Sequence, residues 1–525
     1  MTKRNSIMSD MVLSMPRASA FLEPDRMNLK SGGGRNRLAR LLFLLPLVFF
    51  LPGCLVGPNY KRPKIDAPPA FRGGEGADQQ ASFADQPWWE VFKDDTLKSL
   101  IQTALANNYD MRVAVTRIQE ARQIQAQARS QFLPTVNYQA EISGGRNEFA
   151  GGPLDRGGVT RGSFVAVVNA AWEADVWGRI RRLNEAALAQ YLGTEQAKRG
   201  VMLSLVSDVA SDYFQLLALE LQLDIAKRST ESFGVSLKLF TQRLQGGVAS
   251  KLETDRAEAA MASTAATIPE LERQIALTEN QINVLLGRNP GSIPHDAKLL
   301  GEIIPPDIPV GLPSALLERR PDVRQAEEQV RYANAQVGLA AAAFFPRIGL
   351  TTFFGHVNAD IDQFWKGTAN AWSFAGNAAG PIYQGGALKA GKRLAVAQWE
   401  EAKLQYEQSA LNAFQDVSNS LISREKYEGT RVEQARAVNA YTDAVKVAMQ
   451  RYVAGKASYF EVIEAQLQLF PAETALAQTE LNRRVVIVQL YKALGGGWNL
   501  QDAQWTGSQA APAPAPAPNT TGPAH

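Results

Sequence analysis

The sequence predicts an α+β membrane protein made of two copies of one unit, each a pair of bilayer-crossing β-strands followed by a very long α-helical hairpin. Three observations predict it. There is an internal repeat with a period near 210 residues; two long stretches contain no proline; and short alternating apolar and polar runs precede each of those stretches. Composition agrees. Of 525 residues, 45% are hydrophobic and 20% charged, which excludes both wholesale disorder and a bundle of membrane-spanning helices. Mean hydropathy is -0.19, and the longest apolar run, Leu41 to Leu51, is too short for a spanning helix.

The first element is an address. Arg35, Arg37 and Arg40 precede the apolar run, the pattern of an export signal over residues 1–53, with Met27 as an alternative start. The run closes on Leu51-Pro52-Gly53-Cys54, which resembles the bacterial lipobox, with Pro52 standing where Ala or Ser is usual. Cys54, the only cysteine, falls at the end of that run, so it is the expected lipidation site. By that resemblance it would carry diacylglycerol and an N-acyl chain and become the new N-terminus. Leu55 follows, not Asp, which by the same resemblance favours the outer membrane. Residues 54–90 are proline-rich and expected to form an extended, lipid-anchored segment.

The two copies follow, at 91–300 and 301–500. Asp110, Arg112, Ala114, Ala121, Ala128, Phe132 and Pro134 recur 212 residues later as Asp322, Arg324, Ala326, Ala333, Ala340, Phe344 and Pro346. Arg243, Gly247, Ala249 and Ser250 recur 208 residues later as Arg451, Gly455, Ala457 and Ser458, and at the same offset Glu253 falls on Glu461. A period this long is two copies of a large unit, not a short-repeat solenoid.

Strands are expected at about 135–173 and 347–380. Thr135 to Ile142 and Phe164 to Trp172 alternate, as do Arg347 to Phe354 and Trp372 to Ala375, giving four candidates of about ten residues. Loops rich in Gly, Asn and Asp join them pairwise, and Trp172, Trp177, Trp365, Trp372 and Tyr383 lie near strand ends, where an aromatic girdle would meet headgroups. Long helices are expected at about 179–286 and 386–494. Val206, Val209, Tyr213, Leu216 and Leu223, and then Leu411, Phe414 and Leu421, mark apolar seams at helical spacing. A helix of about 65 residues from Arg179 to Gln245 would be a rod of roughly 100 Å. Turns at Gly246-Gly247 and Gly455 would reverse each rod.

Four strands do not close a membrane barrel, and an open edge in lipid costs several kcal/mol per unpaired group. Oligomerisation is required; three chains would give twelve strands. Long helices with narrow apolar seams likewise want neighbours on both sides, as in a cylinder.

The duplicated unit of helix, proline, hairpin and long helix hairpin resembles the TolC-like outer membrane factor family. The lipobox and the ending Tyr491 to Gly497-Trp498 resemble its lipoprotein branch, of the OprM and NodT type. The resemblance covers about residues 54–500. It implies a homotrimeric duct, a 12-stranded transmembrane β-barrel in the outer membrane of a Gram-negative bacterium continued by a periplasmic α-helical barrel. It also implies two partners, a periplasmic adaptor (membrane fusion protein) and an inner-membrane efflux pump of the resistance-nodulation-division type, to which the chain would be the exit channel.

The family's tip motif, Tyr-x-x-Gly followed by acidic residues on the next helix, matches Tyr452 to Gly455 and then Glu461 and Glu464. Three residues apart, the two glutamates share a helical face, and threefold symmetry would put six carboxylates at one constriction. Such a ring favours cations, and crowding would raise the pKa of some members. The other reading of the pair is a solvated helix face. Phe460 would add an apolar collar, and Tyr452 would hydrogen-bond Glu253 or a neighbour to hold the gate closed. The family often has Asp at the acidic positions, and the Arg that some members carry falls on Ala457, leaving Arg256 or Arg451 to supply a closing ion pair.

Other chemistry is poorly served. One cysteine and three scattered histidines make no metal site, and a net charge of +3 is no footprint for nucleic acid. Gly386 to Lys392 nearly spells a phosphate loop, but Arg393 stands where Ser or Thr must hold magnesium. No catalytic residues and no cofactor beyond the lipid are expected. Two alternatives remain: a duct serving type I protein secretion, and a lipid-anchored periplasmic adaptor without a pore. The Ala/Pro tail, 501–525, reads as low complexity.

Overall fold

The computed structural model describes residues 54–74, 82–146, 160–301, 309–497 and 499–500. The export signal, most of the loop between the first two strands, Trp498 and the C-terminal tail lie outside the described residues.

The chain order is α1 (Asp95–Asn107), α2 (Tyr109–Ser130), β1 (Thr135–Arg146), β2 (Thr160–Ala174), α3 (Arg179–Gln245), α4 (Lys251–Ala265) and α5 (Thr267–Leu285). The second copy follows as α6 (Pro313–Arg319), α7 (Pro321–Ala342), β3 (Arg347–Asn358), β4 (Asn370–Ala379), α8 (Ala387–Val453) and α9 (Tyr459–Ala493). The repeat is kept in three dimensions. α2 with β1 and α7 with β3 start and end 212 residues apart, whereas α3 and α8, each of 67 residues, are 208 apart. The second hairpin of strands therefore carries four residues fewer than the first, by the difference of those two offsets.

β1, β2, β3 and β4 form one antiparallel sheet in that order, so β1 and β4 are its edges. The strands have 12, 15, 12 and 10 residues, so β2 exceeds the expected length. The segment expected as loop between β3 and β4 holds two short helical turns, Ile361–Phe364 and Gly367–Ala369, where Phe364 packs edge-on to Phe164.

Beyond the sheet the helices lie side by side. Next to the sheet the neighbours run α2, α3, α7, α8; farther out, α4 with α5, then α3, α9 and α8. At 1.5 Å per residue, α3 and α8 are rods of roughly 100 Å that serve both levels. Their seam holds in the first copy, where Val206, Val209, Tyr213 and Leu216 have no exposed surface, while Leu223 is half-buried. In the second copy the buried line is Ala410, Ala413, Phe414, Val417 and Leu421; Leu411, expected in the seam, is 64% exposed. Helical spacing puts Leu411 half a turn from Ala413, on the side away from α7.

A collar packs around the middle of the rods. Residues 54–74 are extended, as expected, but 82–91 are not. They make a turn of 3-10 helix, Phe83–Asp85, and a short helical turn, Trp88–Val91, which bury Phe83 and Trp88 against Tyr491, α1 and α3. Packing these aromatics outweighs the extended preference of the prolines around them. Both long hairpins reverse at glycine. Gly247 and Gly455 have φ of 73° and 68°, and the residue after each donates back to the carbonyl of Arg243 or Arg451. This closing pattern needs a left-handed residue, which glycine adopts without steric cost.

Candidate functional site

Alternation gives the sheet two unlike faces. The register aligns Tyr138, Val168, Phe354 and Trp372 in one row across all four strands, and Val136, Ala170, Thr352 and Phe374 in another on the same face. Tyr138 is 86% exposed, Ile142 80% and Trp372 76%. The opposite face is more polar, presenting Asn137, Gln139 and Glu141 of β1, Asn169 and Glu173 of β2, Thr351 of β3, and Ser373 and Asn377 of β4, with Val165, Val167 and Phe353 among them. Apolar side chains exposed in a continuous band are costly in water and stable in lipid, and a polar reverse face suits water. The aromatics divide between the two ends. Trp172 and Trp177 anchor the helix-side end, donating their indole N–H groups to the carbonyls of Phe132 (2.9 Å) and Pro346 (2.8 Å), while Trp365 and Trp372 lie at the far end.

Cys54 is exposed and sits at the helix-side foot of the sheet. Its carbonyl accepts from Arg181 (3.4 Å), and Val56 donates to the carbonyl of Trp177 (3.2 Å), in the turn between β2 and α3. Asp175 accepts from the backbone N–H groups of Ile180 and Arg181 and so caps α3 there. Arg182, 2% exposed, clasps the following residues, donating to the carbonyls of Val56 and Gly57 (both 3.2 Å) and to Asn59 Oδ1 (3.0 Å). Farther along the strap, Tyr60 donates to Glu327 (3.1 Å), and Arg62 pairs with Glu318 and Glu327 and donates to the Tyr406 hydroxyl. Burial, reinforced by the Glu327 carboxylate, pushes the Tyr60 phenol up to about 12. Burial alone would raise Glu327, but Arg331 and Arg62 hold it below its ordinary value.

At the far tip, 4% of Tyr452 is exposed. Its ring lies edge-on to Phe240 at 5.1 Å and under the Arg243 guanidinium at 4.6 Å, and Arg243 donates to its carbonyl (3.3 Å). The Tyr452 hydroxyl stands 3.5 Å from Glu253 Oε2, the outer limit of a hydrogen bond. The other Glu253 oxygen accepts from the Ser250 N–H in the capping box of α4. Burial raises the Tyr452 phenol above its ordinary value, with Glu253 adding and Arg243 opposing. Tyr452 is thus a joint between the two hairpins built on its ring more than on its hydroxyl.

Glu461 and Glu464 are both exposed at the start of α9, and Phe460 is 51% exposed beside them. Arg451 reaches Glu461 at 3.6 Å; Arg256 and Glu464 have no ion-pair partner among the described residues. Of the two arginines that the sequence offers for a closing ion pair, only Arg451, across the turn on α8, lies near an acidic residue of the motif, and that contact is within one hairpin. Two tip groups were not foreseen. Arg243 is one, although its equivalence to Arg451 in the repeat was a signal. The other is Gln466, 4% exposed, which donates to Ser232 Oγ (2.7 Å) and accepts from Ser236 (3.0 Å), bolting α9 to α3.

Comparison with known proteins agrees with this arrangement. The model of the outer membrane efflux protein family matches twice, over residues 100–288 and 312–496. The chain is 34% identical over 473 residues to the toluene efflux pump outer membrane protein TtgC of Pseudomonas putida, covering 88% of this chain and 97% of that one. It is 31% identical over 463 residues to the cation efflux system protein CusC of Escherichia coli, covering 86% and 99%. Among solved structures, the outer-membrane channel OprN superposes with a TM-score of 0.80 at 31% identity over 85% of this chain and all of that one. The open state of the Neisseria gonorrhoeae MtrE channel gives 0.76 at 29% identity, over 85% and 99%.

Proposed function

The chain belongs to the outer membrane efflux protein family and is the outer-membrane channel of an efflux system; from that premise we propose that three copies close into one continuous tube. The observation that carries the assembly is the four-stranded sheet, with one apolar face and two edge strands that pair on one side only. Joining β4 of each copy to β1 of the next satisfies every edge, and three copies make a barrel of twelve strands. Four helices abreast per chain continue it into the periplasm.

Cys54 carries a diacylglyceryl group and an N-acyl chain. Its place at the foot of the sheet supports this, since lipid on that residue enters the bilayer beside the barrel it anchors. At the other end, Glu461 and Glu464 of three chains form the acidic ring, Phe460 the apolar collar, and the Tyr452 joint with Arg243 and Glu253 holds the hairpins closed around it.

Such channels work with a periplasmic adaptor and an inner-membrane pump in tripartite systems. We assign this one to a proton-driven pump of the resistance-nodulation-division type. One relative is named for toluene and another for cations, which supports a duct that conducts passively what the pump selects.

Mass decides the assembly. Native mass spectrometry of the detergent-extracted protein should give three acylated chains per particle, and the same sample should open ion channels in planar bilayers. A monomer of about one chain mass, or a trimer without conductance, overturns the reading.

A further inference from the structure

The wall of the proposed duct has an inside, and its composition between sheet and collar is unusual. The strap fixes which side is out. It starts at Cys54, whose acyl chains must reach lipid outside the barrel, and it lies over α7 at Glu327, Arg331 and Gly338. Gln325, Gln329 and Gln336 fall half a turn away from those three residues, on the other face of α7. Two adjoining grooves open on that face. One joins Gln325 and Gln329 of α7 to Gln190 of α3 and Gln405 of α8; the other joins Gln329 and Gln336 to Gln398 and Gln405.

We infer that these six glutamines line the lumen as an uncharged amide belt, eighteen amides in the trimer, and that this belt lets solutes pass without regard to charge. The inference rests on the proposed trimer and on lipid at Cys54. Charges beside the belt are few and largely matched. Asp322 is held by Arg320 at 2.6 Å, and Arg117 and Glu120 bring one charge of each sign; Glu401 accepts an amide N–H from Gln405 but keeps its charge, the one carboxylate lining the two grooves that no basic group offsets among the described residues. An amide offers both donor and acceptor to a passing solute and carries no field of long range. Charge is then read at the tip, where Glu461 and Glu464 are exposed, and not along this part of the wall. Cationic and neutral cargo share one path.

Cysteine labelling tests it. Cys54 is the only cysteine of the chain and its thiol is consumed by lipid, so Gln329→Cys introduces the single free thiol. Channels reconstituted from Gln329→Cys, and separately from Gln405→Cys, would be treated with a cationic quaternary-ammonium methanethiosulfonate and with its neutral methyl counterpart. Cationic adducts should lower the potassium-to-chloride permeability ratio at least about twofold, and neutral adducts should leave it unchanged. Conducting channels that are fully labelled by mass yet unchanged in selectivity would refute the belt alone. So would a thiol that reacts only after denaturation. Unlabelled protein that forms no trimeric channel would refute the assembly, and the belt with it.

Discussion

Arg243 and Arg451 occupy equivalent places in the two hairpins and do different work. Arg243 lies over the Tyr452 ring and bonds its carbonyl, while Arg451 turns outward to Glu461. The division follows burial: Tyr452 is enclosed, whereas Arg451 and Glu461 are about half exposed, so the second pair is screened and contributes little to stability. In the proposed trimer its significance would lie in the field at the constriction. Replacing both carboxylates, Glu461→Gln with Glu464→Gln, keeps side-chain size and removes six charges from the trimer. The potassium-to-chloride permeability ratio in single-channel recordings should fall roughly twofold or more. An unchanged ratio would leave the pair as a solvated helix face. The acidic pair was legible because a motif of contiguous residues marks it. Gln466 was not, because its partners Ser232 and Ser236 lie more than two hundred residues away in the chain and meet it only through packing.

The elements were legible wherever a single local rule governs them. Absence of breakers set α3 and α8 at their full lengths, and alternation set the strands. Where packing overrides the local rule, the reading failed. Residues 82–91, expected as extended chain, coil inward to bury Phe83 and Trp88. The turn glycines are subtler, because equal φ hides unequal surroundings. A Cβ at Gly455, φ 68°, would meet nothing within 4 Å, so Gly455→Ala costs only the left-handed backbone, about 1 kcal/mol. A Cβ at Gly287, φ 67°, would sit 2.6 Å from the carbonyl oxygen of Asn107. Gly287→Ala should therefore lower the unfolding temperature clearly more than Gly455→Ala, by calorimetry of both in one detergent. Equal shifts would show that the α1–α2 corner yields to the intruding methyl.

Over the whole molecule, one chain leaves exposed what an assembly must cover. α8 buries Ala402, Tyr406, Ala410 and Ala413, the side toward α7. Leu404 and Leu411, two residues before Tyr406 and Ala413, are set half a turn from them and are 65% and 64% exposed. They face neither α7 nor the glutamine side carried by Gln398 and Gln405, so they mark the lateral edge where the next chain's α2 would lie. The proposed trimer would account for a seam that contains Leu411 although the single chain does not bury it, since the apolar period would then record contacts within and between chains alike. In that trimer, burying each leucine would be worth about 1.5–3 kcal/mol, repeated at three seams. Leu404→Glu with Leu411→Glu reverses that term and adds carboxylates facing a neighbour. The variant should extract as monomers by native mass spectrometry and lose conductance. Its helix content by circular dichroism should stay close to wild type, because the intrachain contacts of α8 with α7 and α9 are untouched. A variant that remains trimeric would move the seam to another face of α8.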